Sequence, residues 1–215
     1  MKPLIIIPLY NEEKTINNVI EGINSLNINV DILIVNDNST DNSISKIELK
    51  DNIRIINNQI NIGYEKSLER GIEYSKNLNY KYIITMDADG EHNPSDIPRI
   101  LEALYIGNSI VVTNRLRKNR ISEYLLSSIF NYFFSISDPL SGFKGYDIEK
   151  LVKNDIKLRF IGVGSYILIK GIISNCKIKS LDIETNNRLG ESRFGKGLKI
   201  ELKIIYSVIQ QFFLK

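Results

Sequence analysis

The sequence predicts an α/β protein built on a mostly parallel sheet with helices on both faces. Three observations predict it. Short β-branched runs alternate with helical stretches through the first half, which is the rhythm of βαβ units. Several of those runs are apolar throughout rather than alternating, as strands buried between two helix layers are. Each of the first four runs is followed directly by acids, amides or glycine, and in such sheets ligands bind beyond the carboxyl ends of the strands.

Residues 4–7 (Leu4-Ile5-Ile6-Ile7) give the first strand. The apolar stretch that Pro8 interrupts is too short for the core of a signal peptide. A helix is expected over 12–26, a strand over 30–35 and a helix over 41–49. A strand at 54–56 and a helix over 64–77 complete the next unit. Residues 82–86 form the fourth strand. Pro94 and Ser95 then open a helix over 95–105, which Gly107 stops. A fifth strand covers 110–112.

The second half changes character. Residues 121–136 are apolar with few charges, and they read either as an ordinary core helix or as one that also touches lipid. Ser141-Gly142-Phe143-Lys144-Gly145 come next. A helix near 166–174, a strand over 178–183, a basic glycine-rich stretch over 188–197 and an amphipathic helix over 198–214 follow. The 121–136 segment and the last helix, 198–214 with Lys199, Lys203 and Lys215, suit contact with a membrane surface as well as core packing.

Composition narrows the function classes. With 215 residues, 43% hydrophobic and 25% charged, the chain is an ordinary globular protein and most simply one domain. A net charge of +3 without a long basic run gives no case for nucleic acid. One cysteine and one histidine exclude a disulfide framework and a Cys/His zinc site, and make a reducing, cytoplasmic setting the default. The apolar-rich stretch 204–214 covers 11 residues. Crossing a bilayer takes roughly 20.

The chemistry-bearing segments follow the strands. Asp87-Ala88-Asp89 aims two carboxylates into one crevice, where their repulsion calls for a cation or hydrogen-bond donors. Oxygen ligands suit Mg²⁺ or Mn²⁺, which bridge readily to diphosphate, and Glu91 offers a third oxygen. Helix capping by Asp89 is the duller alternative. Asp37 either accepts from a base or ribose or caps the following segment, as Ser39, Thr40 or Asp41 would. Gly190 to Gly197 approaches a Walker A loop, but Gly197 stands where Ser or Thr is required, so that reading fails. Arg188, Arg193 and Lys196 still suit phosphate. His92 reads as a polar turn residue.

In this order the segments resemble glycosyltransferase family 2, and within it the dolichyl- or polyprenyl-phosphate sugar transferases. The matching pieces are Ile7-Pro8-Leu9-Tyr10-Asn11-Glu12-Glu13, Val35 to Asp41, Asn61-Ile62-Gly63 with Gly71, and Met86 to His92 with Pro94. Asn114-Arg115, Asp138 to Lys144 and Gly190-Glu191-Ser192-Arg193 follow. The chain departs from the family pattern with Asn36 for Asp, Glu91 for Gln, Lys144 for Arg, Arg193 for Lys, and Tyr64-Glu65-Lys66 for a more glycine-rich stretch.

The resemblance implies the GT-A fold in a single domain, with residues 1–115 as the nucleotide-sugar half and 116–215 as the acceptor half. It implies Mg²⁺ or Mn²⁺ and a donor of the GDP-mannose or UDP-glucose type. The acceptor it implies is a polyprenyl or dolichyl phosphate, with peripheral membrane contact. Pro8, Tyr10, Glu12, Asp37 and Asn61 would hold the nucleotide, Asp87 the donor, and Asp89 and Glu91 the metal. Arg115, Arg188, Ser192 and Arg193 would face phosphates. Ser141, Gly142, Phe143 and Lys144 would approach the acceptor. Asp89, Asp138 and Arg115 are the catalytic candidates, with Asp138 as the base if the acceptor is a hydroxyl. The alternatives are a soluble transferase acting on a saccharide hydroxyl and a silent sugar-nucleotide binding module.

Overall fold

A computed structural model describes residues 2–116, 118, 120–161, 164–186 and 197–213. Seven strands form one sheet: β1 (Leu4–Leu9), β2 (Asp31–Asn36), β3 (Ile53–Asn57), β4 (Tyr82–Thr85), β5 (Ile110–Arg115), β6 (Lys144–Asp147) and β7 (Ile178–Ile183). Their order is β3-β2-β1-β4-β6-β5-β7. All pairings are parallel except those of β6, which runs antiparallel to both β4 and β5. The expected mostly parallel sheet is therefore present, with one reversed strand inserted from the second half.

The helices are α1 (Ile16–Ser25), α2 (Tyr64–Asn77), α3 (Ile97–Tyr105), α4 (Ile121–Phe134), α5 (Ile148–Lys153), α6 (Tyr166–Ile173) and α7 (Leu198–Phe213). A 3-10 turn, Pro94–Asp96, leads into α3, and the Asn93 side chain caps it by accepting from the Ser95 N–H. Successive residues of β1 feed opposite layers. Leu4 and Ile6 pack with α2 residues Leu68 and Ile72, while Ile5, Ile7 and Leu9 pack with the α1 residues Ile16, Val19 and Ile23. Burial on both faces explains why the strands read as unbroken apolar runs. Gly71 lets α2 approach β1 closely, since a Cβ there would lie 2.4 Å from an Ile6 methyl.

One sequence expectation is corrected. Residues 41–49 form turns and irregular chain, not a helix. The Asp41 carboxylate accepts from the Ser43 N–H at 3.0 Å and from the Glu13 N–H at 3.1 Å, and Ser43 Oγ accepts from the Glu12 N–H at 2.8 Å, so both side chains tie the segment to the loop after β1. The strand β6 around Lys144 and the helix α5 were not anticipated. Asp147 ends that strand and caps α5 by accepting from the Lys150 N–H.

Strand register sets the site. Leu9 pairs with Asn36, Asn36 with Asn57, and Thr85 with Lys144. The carboxyl ends of β1, β2, β3 and β4 therefore share one edge with the start of β6. Arg115, the last residue of β5, pairs there with Ile183 of β7.

Candidate active site at the carboxyl ends of the strands

The loops after β1 and β2 are laced together by side chains. Asn11 Oδ1 accepts from the Thr40 N–H at 2.8 Å, the Asn11 N–H donates to Ser39 Oγ at 3.1 Å, and the Glu12 N–H donates to Ser43 Oγ at 2.8 Å. Pro8 lies buried within β1, while Tyr10 and Glu12 are partly exposed at its end. Asp37 is buried, and its carboxylate takes three hydrogen bonds from the segment after β3. Oδ1 accepts from Asn58 Nδ2 at 2.7 Å and from the Ile62 N–H at 2.8 Å, and Oδ2 accepts from the Gly63 N–H at 2.8 Å. Asp37 thus holds the 58–63 loop and the entry to α2. Asn61 is exposed on that loop.

The loop after β4 carries the acids. Asp87 is partly exposed, and Tyr64 Oη donates to its Oδ1 at 2.8 Å. Burial, reinforced by the neighbouring Asp87 charge, pushes the Tyr64 phenol well up, so it stays a donor. The other oxygen lies against Gly142, where a Cβ would stand 2.5 Å from Oδ2. Asp89 is buried, and its Oδ1 accepts from the Glu91 N–H at 3.0 Å, closing the turn at Gly90, whose φ is +76°. Thr15 Oγ1 donates to the Ala88 carbonyl at 2.7 Å, tying this loop to the start of α1.

His92 is not a polar turn residue. It is 1% exposed and stacked on Phe143, with ring centroids 5.1 Å apart. Its Nε2 has no hydrogen-bond partner among the described residues.

Residues 185 and 186 approach the same loop. Thr185 bridges to His92 in antiparallel fashion, the Asn186 N–H donates to the Glu91 carbonyl at 2.9 Å, and Asn186 Nδ2 donates to the Gly90 carbonyl at 3.2 Å. Arg188, Ser192 and Arg193 lie outside the described residues.

Arg115 is the hub of a charged cluster at the end of β5. Its Nε donates to Asp138 Oδ2 at 2.6 Å and its Nη1 to Glu91 Oε1 at 3.3 Å, while Nη2 lies 3.5 Å from Glu123 Oε1 in the first turn of α4. Burial opposes its charge, but Asp138, Glu123 and Glu91 outweigh burial and hold the guanidinium above its ordinary pKa. Asp138 is 1% exposed and both of its oxygens face Arg115, a poor arrangement for a general base.

Lys144 is equally buried, and its ammonium donates to the Ser141 carbonyl. Burial lowers its pKa to about 8, against the upward pull of Asp138. Ser141 and Phe143 are buried too, with the Ser141 hydroxyl 2.8 Å from Thr113 Oγ1. Of the four residues expected on the acceptor side, only Gly142 reaches the surface, and the others brace the crevice from beneath.

Among the described residues this end of the sheet carries more acids than cations. Among the described residues Asp87, Asp89, Glu91, Glu123 and Asp138 gather around Arg115 and Lys144. No three acids, histidines or cysteines among the described residues are grouped to hold a metal alone. Oxygen donors and a deficit of cations nonetheless fit Mg²⁺ or Mn²⁺, since Mg²⁺ is usually bound by one or two carboxylates plus the phosphates of a substrate.

Sequence reasoning missed Tyr64 as a partner of Asp87, Glu123 as a partner of Arg115, and Asn186 as the clamp on residues 90–91. Each bond joins positions at least 8 residues apart, as Glu123 is from Arg115, and the Asn186 contact spans 96. No local pattern marks such pairs. The unusual Tyr64 in an otherwise glycine-favouring stretch was the one available signal.

Comparison with known proteins adds the lineage. Residues 4–155 match the family described as Glycosyl transferase family 2. An uncharacterized protein of Methanocaldococcus jannaschii, MJ0544, is 37% identical over 144 residues, 64% of this chain and 61% of that protein. The dolichol-phosphate mannosyltransferase of Pyrococcus furiosus is 28% identical over 233 residues, covering 98% of this chain and 64% of its own length. The chain thus spans a little over three fifths of either relative. Among solved structures, glucosyl-3-phosphoglycerate synthase from Mycobacterium tuberculosis, in a complex with Mn²⁺, UDP and glucosyl-3-phosphoglycerate, superposes with a TM-score of 0.75 at 17% identity. The match covers 100% of this chain and 81% of that one. At that identity the likeness speaks for the fold alone.

Proposed function

We propose, from the premise that this chain belongs to glycosyl transferase family 2, that it moves a hexose from a nucleoside-diphosphate sugar to a polyprenyl or dolichyl phosphate, with inversion at the anomeric carbon. One observation carries the reading. The acidic loop holding Asp87, Asp89 and Glu91 is hydrogen-bonded to Asn186, directly ahead of the stretch that contains Arg188, Ser192 and Arg193. An acidic loop joined to the residue that leads into a basic stretch suits a diphosphate. The likeness to the Pyrococcus mannosyltransferase, which runs through 98% of the chain, supports the lipid-phosphate acceptor.

In this reading Pro8, Tyr10, Glu12 and Asn61 line the nucleoside side, and Asp37 fixes the loop that carries Asn61. Asp87 faces the donor, oriented by Tyr64. Asp89 and Glu91 would hold Mg²⁺ or Mn²⁺, which when bound neutralises charge on the departing diphosphate. Arg188, Ser192 and Arg193 stabilise the same developing charge. Arg115 orients Glu91 and Asp138 as a positioning residue. Residues 1–115 serve the donor and 116–215 the acceptor, with β6 joining the two halves in one sheet.

An acceptor phosphate monoester is mostly ionised at neutral pH, its second pKa being about 6, and needs no strong base. A hydroxyl acceptor would need one, and the engagement of Asp138 by Arg115 favours the phosphate. A GDP-mannose or UDP-glucose type donor fits either way. A lipid-linked acceptor places the work at a membrane face, and no helix among the described residues is long and apolar enough to cross one.

The test is transfer from labelled GDP- and UDP-hexoses to a short polyprenyl phosphate with Mn²⁺. The expected result is an organic-extractable product that chelator abolishes, and an Asp89→Ala variant slowed by about 10³ or more. Lack of transfer together with no thermal stabilisation by GDP or UDP with Mn²⁺ would reject the reading.

A further inference from the structure

Strands β5 and β7 pair in parallel, and their register sets Asn114 directly opposite Asp182. Opposed residues of paired strands lie on the same face of a sheet, so the two side chains can meet. Asn114 Nδ2 donates to Asp182 Oδ1 at 2.8 Å. On its other side the buried amide holds a turn, since Asn114 Oδ1 accepts from the Ser137 and Asp138 N–H groups, each at 3.0 Å.

The position calls for this residue type. Two N–H groups need an acceptor and a carboxylate needs a donor, and a single side-chain amide supplies both. The same partners fix which end of the amide carries the oxygen. An acid at position 114 would set one carboxylate against another.

The pair closes a ring of contacts that passes through Glu91. Asp138, whose N–H is held by Asn114, receives Arg115 Nε at 2.6 Å, and Arg115 Nη1 donates to Glu91 Oε1 at 3.3 Å. In the other direction the chain runs from Asp182 out of β7 to Thr185, which bridges to His92, and to Asn186, whose N–H donates to the Glu91 carbonyl at 2.9 Å. Glu91 is thus gripped by its carboxylate through Arg115 and by its backbone through the chain that leaves β7. The two routes meet at the bond between Asn114 and Asp182. Asp182 is braced in turn, because its carbonyl accepts from Arg99 Nη2 at 3.2 Å and Arg99 Nη1 lies 2.6 Å from Asp96 Oδ1.

We propose that Asn114 and Asp182 are a positioning pair that sets the Glu91 carboxylate for a divalent metal and its diphosphate. They act through Asp138, Arg115 and the end of β7. Groups behind a metal-holding side chain orient it, and losing one typically costs about 10- to 100-fold in metal affinity or activity. The assignment rests on the transferase reading, in which Glu91 helps to hold Mg²⁺ or Mn²⁺.

The experiment is titration calorimetry of GDP and of UDP with Mn²⁺ on the full chain, beside a thermal melt of the unliganded protein. Asp182→Ala removes the acceptor and is expected to weaken binding about three- to tenfold. Asp182→Asn keeps an oxygen for Asn114 Nδ2 and is expected to stay within about twofold of wild type. Asn114→Asp opposes two carboxylates and is expected to cost about tenfold or more. Joining those last two substitutions restores the pair with reversed polarity, because the new carboxylate accepts from the turn and from the new amide. The joint variant is expected to recover affinity to within about threefold of wild type.

Unchanged affinity in Asp182→Ala would overturn the proposal. So would a joint variant that regains its melting temperature but not its affinity, which would leave the pair as a tie between β5 and β7. If Asn114→Asp does not fold, the contrast between Asp182→Ala and Asp182→Asn decides alone, since residue 182 is solvent-exposed. Wild type that binds neither nucleotide would reject the transferase reading and this role with it. Wild type that binds, with every variant equal to it, rejects the positioning pair alone.

Discussion

The carboxylates that follow the strands on either side of β1 are treated in opposite ways. Asp37, after β2, is buried and fully employed, with Asn58 Nδ2 and the Ile62 and Gly63 N–H groups all donating to it. Asp87, after β4, is partly exposed. One of its oxygens is held by Tyr64, the other faces Gly142, and further acids surround the pair Arg115 and Lys144. The first region has its electrostatics settled internally and serves as a strut. Among its described residues the second carries more acids than cations, a balance that a bound cation would complete.

The largest effect that separates the two regions should come from Asp37→Ala. It strands three buried or half-buried donors, each normally bonded to a charged acceptor. Loop relaxation will recover part of the loss, so the cost is about 2–4 kcal/mol. Urea unfolding should show a lower midpoint with an unchanged slope. Nucleotide affinity, measured well below the new melting point, should change little. If affinity collapses while stability holds, Asp37 belongs with the second region and the comparison fails.

The next effect lies at Lys144. Burial lowers its pKa to about 8, so above that pH the folded chain has released a proton that the unfolded chain keeps up to 10.5, the ordinary value. Where the unfolded state binds more protons, stability rises with pH, so the cost of burying this charge is relieved between those two values. Activity should move the other way if the crevice needs the ammonium. The alkaline limb of kcat/KM, which reports the free enzyme, should then fall near pH 8. Lys144→Arg keeps its charge throughout. One unit above the limb it should outperform wild type by about tenfold relative to their ratio at neutral pH. An unmoved limb would show that Lys144 is structural only.

The same contrast explains how far the sequence could be read. The GT-A fold implied by the motifs is the fold found, and β7 and α2 fall on the residues expected for them. Their periodicity is local and strong. β6 was invisible because Lys144-Gly145-Tyr146-Asp147 has no strand composition, and it is a strand only because β4 and β5 offer it partners on both sides. The failed helix at 41–49 shows the reverse, a plausible local pattern overruled by Asp41 and Ser43 bonding to the backbone. Site residues were legible where they follow a strand directly. Their partners were not, because pairs such as Asn114 with Asp182 are made by the sheet bringing distant loops together.

Tyr64→Phe tests the comparison at its finest. The ring would remain and only the hydroxyl would go, so its packing against the core is preserved. Asp87 Oδ1 is partly solvated and can replace the lost donor with water, which limits the stability change to roughly 1 kcal/mol or less. Without the phenol the carboxylate keeps only its close packing on Gly142 and the His92 ring, whose Nδ1 lies 3.9 Å from Oδ2. Its second oxygen is then less well aimed, and affinity for Mn²⁺ with GDP or UDP should weaken about three- to tenfold in titration calorimetry, with the melting temperature of the unliganded protein nearly unchanged. The opposite pattern, a lower melting temperature with affinity intact, would mean that Tyr64 and Asp87 form a strut like that at Asp37. The charge deficit of the second region would then have to be explained by Asp89 and Glu91 alone.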